Sequence, residues 1–267
     1  MSGEDETYEL YAIRYAMHEG RTSNECFIFH DPHDTPMPLA YYVWLARSPR
    51  RSVLIDLGYH GKLAAEKKHT YFFNPGEGLR ALGVAPADVK DVVVTHMHWD
   101  HVGNFDLFPE ARIHVQASEL GYCCSKFMQY APCRRSFRLE DVTSLISRLY
   151  GEKVAVHEGD VPLFPGLSLH LIGGHSMGLQ VVRVRTRVGW MVVASDALHF
   201  YRNFEDQNPF PTIVSLPHTV DGWHRALQLA EGDMTRLIPG HDPLVFARYE
   251  PVSGAAHGMA VRLDVKV

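Results

Sequence analysis

The chain has 267 residues, of which 46% are hydrophobic and 21% charged, a composition typical of a globular protein with one sizeable core. Its formal net charge of −5 provides no overall positive field for a polyanion, so nucleic acid is not an expected partner. No apolar run approaches the roughly 18 residues needed to cross a bilayer, and the acidic start, Met1 to Glu6, lacks secretory-signal features. We therefore expect a cytoplasmic protein with no membrane partner.

Apolar segments bounded by turn residues predict an α/β fold. No repeat, low-complexity tract or linker interrupts the chain, so residues 1–267 are interpreted as a single domain. Early and late groups of strands with helices between them predict two packed sheets covered by helices. The predicted strands are 41–46, 52–56, 92–95, 111–116, 153–157, 167–172, 180–186, 190–195 and 235–238. The predicted helices are 76–82, a segment opening at Ser118 and Glu119, and 221–231.

A cluster of four metal-ligating side chains follows the strand at 92–95: His96, His98, Asp100 and His101. Imidazole and carboxylate are ligands of catalytic zinc, iron or manganese, whereas structural zinc sites are usually closed and rich in cysteine. His96 and His98 are two residues apart, so a strand end or loop can direct both to one side. Asp100 and His101 are adjacent and must diverge, which suits a second ion. The spacing therefore predicts a hydrolase with two ions about 3.5–4 Å apart.

Three further segments each place one metal-ligating residue directly after an apolar run. His175 follows Gly173-Gly174, Asp196 follows Ser195, and His241 follows Pro239-Gly240. Glycine or another small residue beside each ligand allows the backbone to turn sharply at the strand end. Together with the first cluster, these segments predict seven ligands on one rigid scaffold.

The order of these motifs, His-x-His-x-Asp-His, Gly-His, Ser-Asp and Pro-Gly-His, resembles the metallo-β-lactamase superfamily over roughly residues 40–245. The resemblance implies an αββα sandwich of two mixed β-sheets flanked by helices. It also implies two metal sites, in which His96, His98 and His175 hold one ion, Asp100, His101 and His241 hold the second, and Asp196 bridges both. Zinc is the first choice for both ions, although such nitrogen and oxygen ligands also accept Mn, Fe or Co.

Two bound cations explain why the family's chemistry needs these residue types. A water that bridges two divalent ions loses a proton near neutral pH, and the resulting hydroxide attacks a carbonyl that one ion polarises. Asp100 is in addition a candidate catalytic residue, which would steer the nucleophile or pass a proton to the leaving group.

Within the superfamily, the chain is most similar to the N-acyl homoserine lactonases, on the segments Thr95–Gly103, Gly173–Gly178 and Asp196–Glu205. Those lactonases carry a tyrosine three residues after the bridging aspartate, where its hydroxyl assists the substrate carbonyl. Here that position is His199, and Tyr201 follows two residues later. Register favours His199 as the assisting group, and chemistry favours Tyr201. The predicted function is opening of an N-acyl homoserine lactone or a related small ring ester, with a quorum-quenching role.

Other functions remain as alternatives on the same scaffold. A thioester or other ester hydrolase of the glyoxalase II type is the nearest of them. A β-lactam hydrolase is disfavoured because no export signal is evident, and a nuclease because the chain is acidic. Flavodiiron oxidoreductases replace the second histidine with glutamate, whereas this chain has His98. A non-enzymatic sensor would not need seven intact ligands.

Residues 119–150 have two interpretations. Their apolar residues, Phe127 and Phe137 among them, and the arginines Arg134, Arg135 and Arg138 predict a substrate-facing cap or a solvated helix with a packed apolar side.

Three smaller features of the sequence also predict local roles. Asp56 is either a carboxylate that orients a ligand histidine or a turn cap. His30 and His33 lie in a turn or form a third metal site. The aromatic stretch near the N terminus suggests a homodimer contact.

Overall fold

Two β-sheets lie at the centre of the molecule. The computed structural model describes residues 6–266. Within that range the strands are β1 (Glu9–His18), β2 (Leu39–Arg47), β3 (Ser52–Ile55), β4 (Thr70–Tyr71), β5 (Asp91–Val93), β6 (Arg112–Gln116), β7 (Val154–His157), β8 (Val161–Phe164), β9 (Leu167–Leu171), β10 (Gln180–Thr186), β11 (Gly189–Ser195), β12 (Leu237–Pro239), β13 (Glu250–Pro251) and β14 (Ala260–Arg262).

The first sheet has the order β13-β14-β1-β2-β3-β5-β6-β7, with β4 paired to β1, and the second has the order β12-β11-β10-β9-β8. Both sheets are mixed. In the first sheet, β3, β5, β6 and β7 run parallel, while β1, β2 and β3 pair antiparallel. In the second, β11 and β12 are the parallel pair. The loops that follow neighbouring parallel strands leave the sheet at the same edge. Ligands bind at that edge in sheets with parallel strands.

Helices and one-turn segments connect the strands. They are α1 (Ser23–Cys26), α2 (Gly61–Lys67), α3 (Pro75–Ala81), α4 (Ala117–Cys123), α5 (Ala131–Arg134), α6 (Leu139–Tyr150), α7 (Tyr201–Glu205), α8 (Leu216–Leu229) and α9 (Leu244–Arg248). The start of α3 illustrates local control by sequence: Asn74 Oδ1 accepts from Gly76 N at 2.8 Å, and Pro75 occupies the first turn, where no backbone N–H is needed.

Strand β2 is buried on both faces, which explains its continuous apolar sequence. Tyr41 and Val43 point into a core shared with the helices on the outer face of the first sheet. Tyr42 and Trp44 point into a second core, which the two sheets form together. A third core lies between the second sheet and α8, where Trp223 is buried. The layers are therefore helix, sheet, sheet, helix, and the predicted αββα sandwich is confirmed.

The sequence analysis missed β1, which lies in the middle of the first sheet between β14 and β2. A half-buried strand alternates between buried and exposed residues, but Leu10 to Ile13 are all buried. Because both faces of β1 are covered, its pattern is that of a continuous apolar run. Strands β4, β8, β13 and β14 were also missed, since each is short.

Burial of β1 also corrects the basis for a homodimer contact. The aromatic residues near the N terminus, Tyr8, Tyr11 and Tyr15, are all buried within the chain's own cores. They pack against other strands because β1 is internal, so they offer no surface to a second copy. The homodimer itself stays a prediction.

The predictions about membranes and the cytoplasm have separate outcomes. Among the described residues, no helix has the length and apolar character that crossing a membrane requires. The cytoplasmic prediction was based in part on the acidic start of the chain. Residues 1–5 of that start lie outside the described residues.

We predict that Gly178→Ala lowers the free energy of unfolding by about 1–3 kcal/mol, as overpacking does in a close-packed interior. A Cβ atom at Gly178 would lie 2.2 Å from the backbone nitrogen of Glu119, which cannot move as a side-chain end can. Urea denaturation in the presence of a chelator measures the effect. Gly121→Ala is the matched control, because its Cβ would meet nothing within 4 Å and its helical position favours alanine. Equal destabilisation by both variants would contradict the packing explanation.

Candidate metal centre

The loops that follow the parallel strands of both sheets meet at one edge of the sandwich. Two of them come from the first sheet, after β3 and β5, and two from the second sheet, after β11 and β12. The loop after β9 completes the set. These loops carry the predicted ligands: His96, His98, Asp100 and His101 after β5, His175 after β9, Asp196 after β11, and His241 after β12.

The Asp196 carboxylate lies in the middle of this cluster. Its Oδ2 atom is 3.2 Å from His175 Nε2 and 3.7 Å from His96 Nε2. Its Oδ1 atom is 3.3 Å from His101 Nε2 and 3.1 Å from His241 Nε2. His241 Nε2 is also 3.3 Å from Oδ2, so the carboxylate lies between the two halves of the cluster, as a bridging ligand requires.

All seven side chains predicted from the sequence come together. The potential ligand atoms in each of several overlapping groups lie within 4.8 Å of one another. These groups are His96, His98 and His175; His96, His101 and Asp196; and Asp100, His101 and His241. The first and last are the two sets that the family resemblance implied.

Buried nitrogen atoms without partners show that the cluster fits metal ions. His96 Nε2, His101 Nε2 and His175 Nδ1 are inaccessible to solvent and make no hydrogen bond. Buried polar atoms are nearly always paired, because desolvation without a partner costs free energy. Neutral imidazole nitrogens beside carboxylates are the donor set of zinc and similar divalent cations. A cation at each half of the cluster would satisfy His96 Nε2 and His101 Nε2, whereas His175 faces Asp196 with its other nitrogen, Nε2.

Burial and mutual charge determine the protonation of the cluster. Burial lowers the pKa of His98 to about 4, and it holds the pKa values of His96 and His175 well below the ordinary value. Burial opposes ionisation of Asp196, but the imidazoles around it hold its pKa well below the usual range. Burial likewise opposes protonation of His101, yet the neighbouring carboxylates raise its pKa. A carboxylate surrounded by imidazoles is thus held ionised, which favours a cation.

The Asp56 carboxylate orients one of the predicted ligands. Its Oδ2 atom is 2.7 Å from His101 Nδ1, and the same carboxylate accepts from Thr95 N at 2.7 Å and Thr95 Oγ1 at 2.8 Å. Asp56 follows β3 with φ of 61°, a left-handed conformation that aspartate tolerates. Of the two roles considered for Asp56, the structure shows the histidine contact, and it shows in addition that Asp56 ties the loop after β5 to β3.

Other contacts hold the remaining loops. His241 Nδ1 lies 2.9 Å from the carbonyl oxygen of Ala40, so a strand of the first sheet orients a residue of the second. Tyr15 Oη donates to the Asp100 carbonyl oxygen at 3.1 Å. The buried Glu119 carboxylate accepts from Met97 N at 2.8 Å and Gly178 N at 2.9 Å. Sequence reasoning missed Glu119, because nothing in the linear pattern pairs it with the cluster.

Gly240 permits the close approach of β12 to Asp196. A Cβ atom at this position would lie 2.7 Å from Asp196 Oδ1 and 2.8 Å from the Ser195 backbone carbonyl. Any side chain here would displace the central carboxylate, which explains the glycine directly before His241.

Two adjoining cavities open onto the cluster. The smaller, of about 210 Å³, contains the predicted ligands Asp100 and Asp196 and is walled by Arg21, Tyr41 and Trp99. The larger, of about 450 Å³, is mainly apolar, and its wall includes side chains of the 119–150 segment. Residues shared by both cavities connect them: His98, Arg135, Ser136, His175 and Thr212.

The two candidates for assisting the substrate carbonyl are separated by the structure. His199 lines the smaller cavity, and its Nε2 atom is 3.1 Å from Asp196 Oδ2. Tyr201 is 2% exposed and packs in the core between the sheets, with the Arg248 guanidinium 4.2 Å from its ring centroid. It lines neither cavity, which favours His199 of the two candidates, and the assisting role itself stays a prediction. Tyr201 is the first residue of α7, and the direction of its side chain follows from packing that the sequence does not reveal.

The 119–150 segment contributes selectively to the larger cavity. Phe127, Phe137 and Arg135 line it, whereas Arg134 and Arg138 do not. Arg138 instead pairs with the Glu140 carboxylate. The Phe137 ring packs edge-on against His98, with centroids 4.8 Å apart, so this segment contacts the cluster directly.

Several residues that the sequence assigned to other roles can also be placed. Tyr41 lies in the predicted strand 41–46 and is buried, and it also lines the smaller cavity and packs against His241. His33 lies in a turn where its backbone N–H donates to Asp31 Oδ1 at 2.7 Å, in agreement with the turn interpretation. Arg21 and Phe210, which wall the smaller cavity, were not identified, because they follow no motif.

Fold and cluster define a class of protein with a metal site at the edge of two packed sheets. Residues 36–241 match the model of the metallo-beta-lactamase superfamily, and the chain therefore belongs to that superfamily.

Known relatives of this chain include lactonases. An N-acyl homoserine lactonase of Bacillus cereus is 28% identical over 133 residues, which make up 49% of this chain and 48% of that protein. The N-acyl homoserine lactonase AttM of Azorhizobium caulinodans is 27% identical over 188 residues, 66% of each chain. The matches thus span about half to two thirds of the relatives' length.

The fold has close counterparts among solved structures. One is an N-acyl homoserine lactone hydrolase with the product N-hexanoyl-L-homoserine bound at its catalytic metal centre. Its TM-score is 0.73 at 20% sequence identity, and the match covers 91% of this chain and 97% of that one. At this identity the likeness establishes the shared fold.

We predict that Asp56→Asn weakens metal binding by about 10–100-fold, the usual effect of removing a carboxylate behind a ligand histidine. Asparagine has the same shape and tolerates the left-handed backbone, so the loss would come from the lost charge beside His101. Competition with a chromogenic chelator measures the affinity. Asp91→Asn is the matched control, since Asp91 contacts His114 at 3.0 Å away from the cluster. Unchanged affinity in Asp56→Asn, or an equal loss in both variants, would contradict this role.

Proposed function

We propose that this protein is a metal-dependent hydrolase that opens lactones, with N-acyl homoserine lactones as the leading substrate class. The observation that carries the proposal is the convergence of seven potential ligands beside a mainly apolar cavity. The relatives named N-acyl homoserine lactonases support the substrate class. Opening the ring of such a signal would give the protein a quorum-quenching role.

The proposed metal site holds two divalent cations, zinc in the first instance, with Mn, Fe or Co as alternatives. Its ligands are His96, His98 and His175 for one ion, Asp100, His101 and His241 for the other, and Asp196 for both. Bound cations of this kind supply an activated water near neutral pH and a Lewis acid for the substrate carbonyl. The unpartnered buried Nε2 atoms of His96 and His101 support this assignment.

Asp100 is the carboxylate that we propose for proton transfer. It lines the smaller cavity, and its Oδ2 atom is 3.5 Å from both His101 Nε2 and His241 Nε2. Hydrolysis breaks the bond between the carbonyl carbon of the lactone and the ring oxygen, so the departing oxygen must gain a proton. A carboxylate at the cavity wall can take that proton from the attacking water and deliver it.

The two cavities suit the two parts of an acyl homoserine lactone. The smaller is lined by polar groups, including Arg21 and Arg135, and would hold the ring and the amide. The larger is lined by apolar side chains, including Phe127, Phe137 and Met177, and would hold the acyl chain. We therefore propose that residues 119–150 are the substrate-facing cap, since they supply much of the larger cavity's wall.

Turnover of a substrate panel before and after chelation tests the proposal. The panel contains N-acyl homoserine lactones of several chain lengths, a simple γ-lactone and an acyl thioester. We expect the metal-loaded protein to open the lactones faster than it cleaves the thioester. Chelation should abolish ring opening, and added zinc should restore it.

Two results would contradict the proposal in different ways. The absence of metal-dependent opening of every lactone would remove it. Thioester cleavage far above lactone opening would replace it with a hydrolase of the glyoxalase II type.

We further predict that Val214→Trp lowers kcat/KM for N-decanoyl homoserine lactone by about 10-fold or more relative to N-butanoyl homoserine lactone. Val214 lines the larger cavity and is 40% exposed, so an indole there would occupy space needed by a long chain. Leu244→Trp is the control, because Leu244 is 42% exposed but lines neither cavity at the cluster. An equal decrease for both chain lengths would show that this cavity does not hold the acyl group.

A further inference from the structure

His199 lies within ligand distance of the cluster, in addition to the seven predicted residues. Its Nε2 atom is 3.1 Å from Asp196 Oδ2, the oxygen that His175 Nε2 approaches to 3.2 Å. The ligand atoms of His175, Asp196 and His199 form one further group in which all lie within 4.8 Å of one another. His199 thus has the same relation to Asp196 as a residue already assigned to the metal site.

The imidazole of His199 is held in this position by packing. The ring is 4% exposed, and it stacks on Phe210 with centroids 3.7 Å apart and an angle of 7° between the planes. On the cluster side it stacks on His241, with centroids 5.1 Å apart. Because the ring is already fixed between two others, it would lose little conformational entropy on binding a metal ion, which favours ligation.

We propose that His199 is an eighth metal ligand, which binds the ion shared by His175 and Asp196. The inference rests on the proposed dinuclear site and adds to it a donor that the ligand motifs do not contain. Neighbouring ligands of one five-coordinate zinc ion, each about 2.0–2.1 Å from the metal, lie roughly 2.9–3.6 Å apart. The separations of 3.1 and 3.2 Å around Asp196 Oδ2 agree with that spacing.

A hydrogen bond from His199 to Asp196 is the competing explanation of the same distance. Both explanations place His199 Nε2 beside Asp196 Oδ2, and they differ in whether that nitrogen carries a proton or binds the ion. A count of the metal-bound imidazoles therefore distinguishes them.

The test counts ligand histidines directly in the cobalt-substituted protein by proton NMR. Each imidazole bound to paramagnetic cobalt gives a shifted resonance for its exchangeable N–H proton. We expect six such resonances in the native chain and five in His199→Gln. The glutamine amide can still donate a hydrogen bond to Asp196, so loss of a resonance together with at least 10-fold weaker binding of one ion indicates ligation. His157→Gln, a change at a histidine away from the cluster, should keep all six.

His199→Tyr gives a second variant in case His199→Gln fails to fold, as judged by circular dichroism. A phenol stays neutral near pH 7 and is a poor ligand, so five resonances are again expected. Five resonances in the native chain, with two ions bound and no change in either variant, would overturn the inference and leave the dinuclear site intact. Fewer than two ions bound by the native chain would overturn both the inference and the proposed function.

Discussion

The buried carboxylate of Asp196 is the constraint on which the centre of this molecule depends. It lies where the two sheets meet, and its two oxygens face four imidazoles from three different loops. A buried carboxylate is costly unless charge or hydrogen bonds compensate it, and several neighbouring nitrogens lack partners of their own. Cations bound between these groups would satisfy the carboxylate and the imidazoles together. Metal binding would therefore stabilise the folded arrangement of the strand-end loops.

The sandwich delivers these loops to one edge and then ties them together. Asp56 joins the loop after β5 to β3, and Glu119 joins it to the loop after β9. The carbonyl oxygen of Ala40 in β2 orients His241 from the other sheet. Each of these contacts is buried and connects segments far apart in sequence. The ligands are thereby held before any ion or substrate arrives, as an efficient catalytic site requires.

Sequence alone identified the side chains that meet at this edge of the sandwich, because their chemistry is local. Spacing in the His96–His101 cluster and the small residues beside His175, Asp196 and His241 can be read without knowing the fold. Features set by packing could not be predicted. Strand β1 lacks alternation because both its faces are buried. Tyr201 packs in the core against residues far along the chain, such as Arg248, so the sequence around it does not reveal its direction. The Glu119 contacts depend on the same long-range arrangement.

Anomalous X-ray diffraction at the zinc edge, from crystals of the zinc-loaded protein, tests most directly whether this edge of the sandwich holds a pair of cations. We expect two peaks about 3.5–4 Å apart, each within about 2.2 Å of its imidazole nitrogens and of one Asp196 oxygen. A single peak, or peaks away from Asp196, would contradict the account.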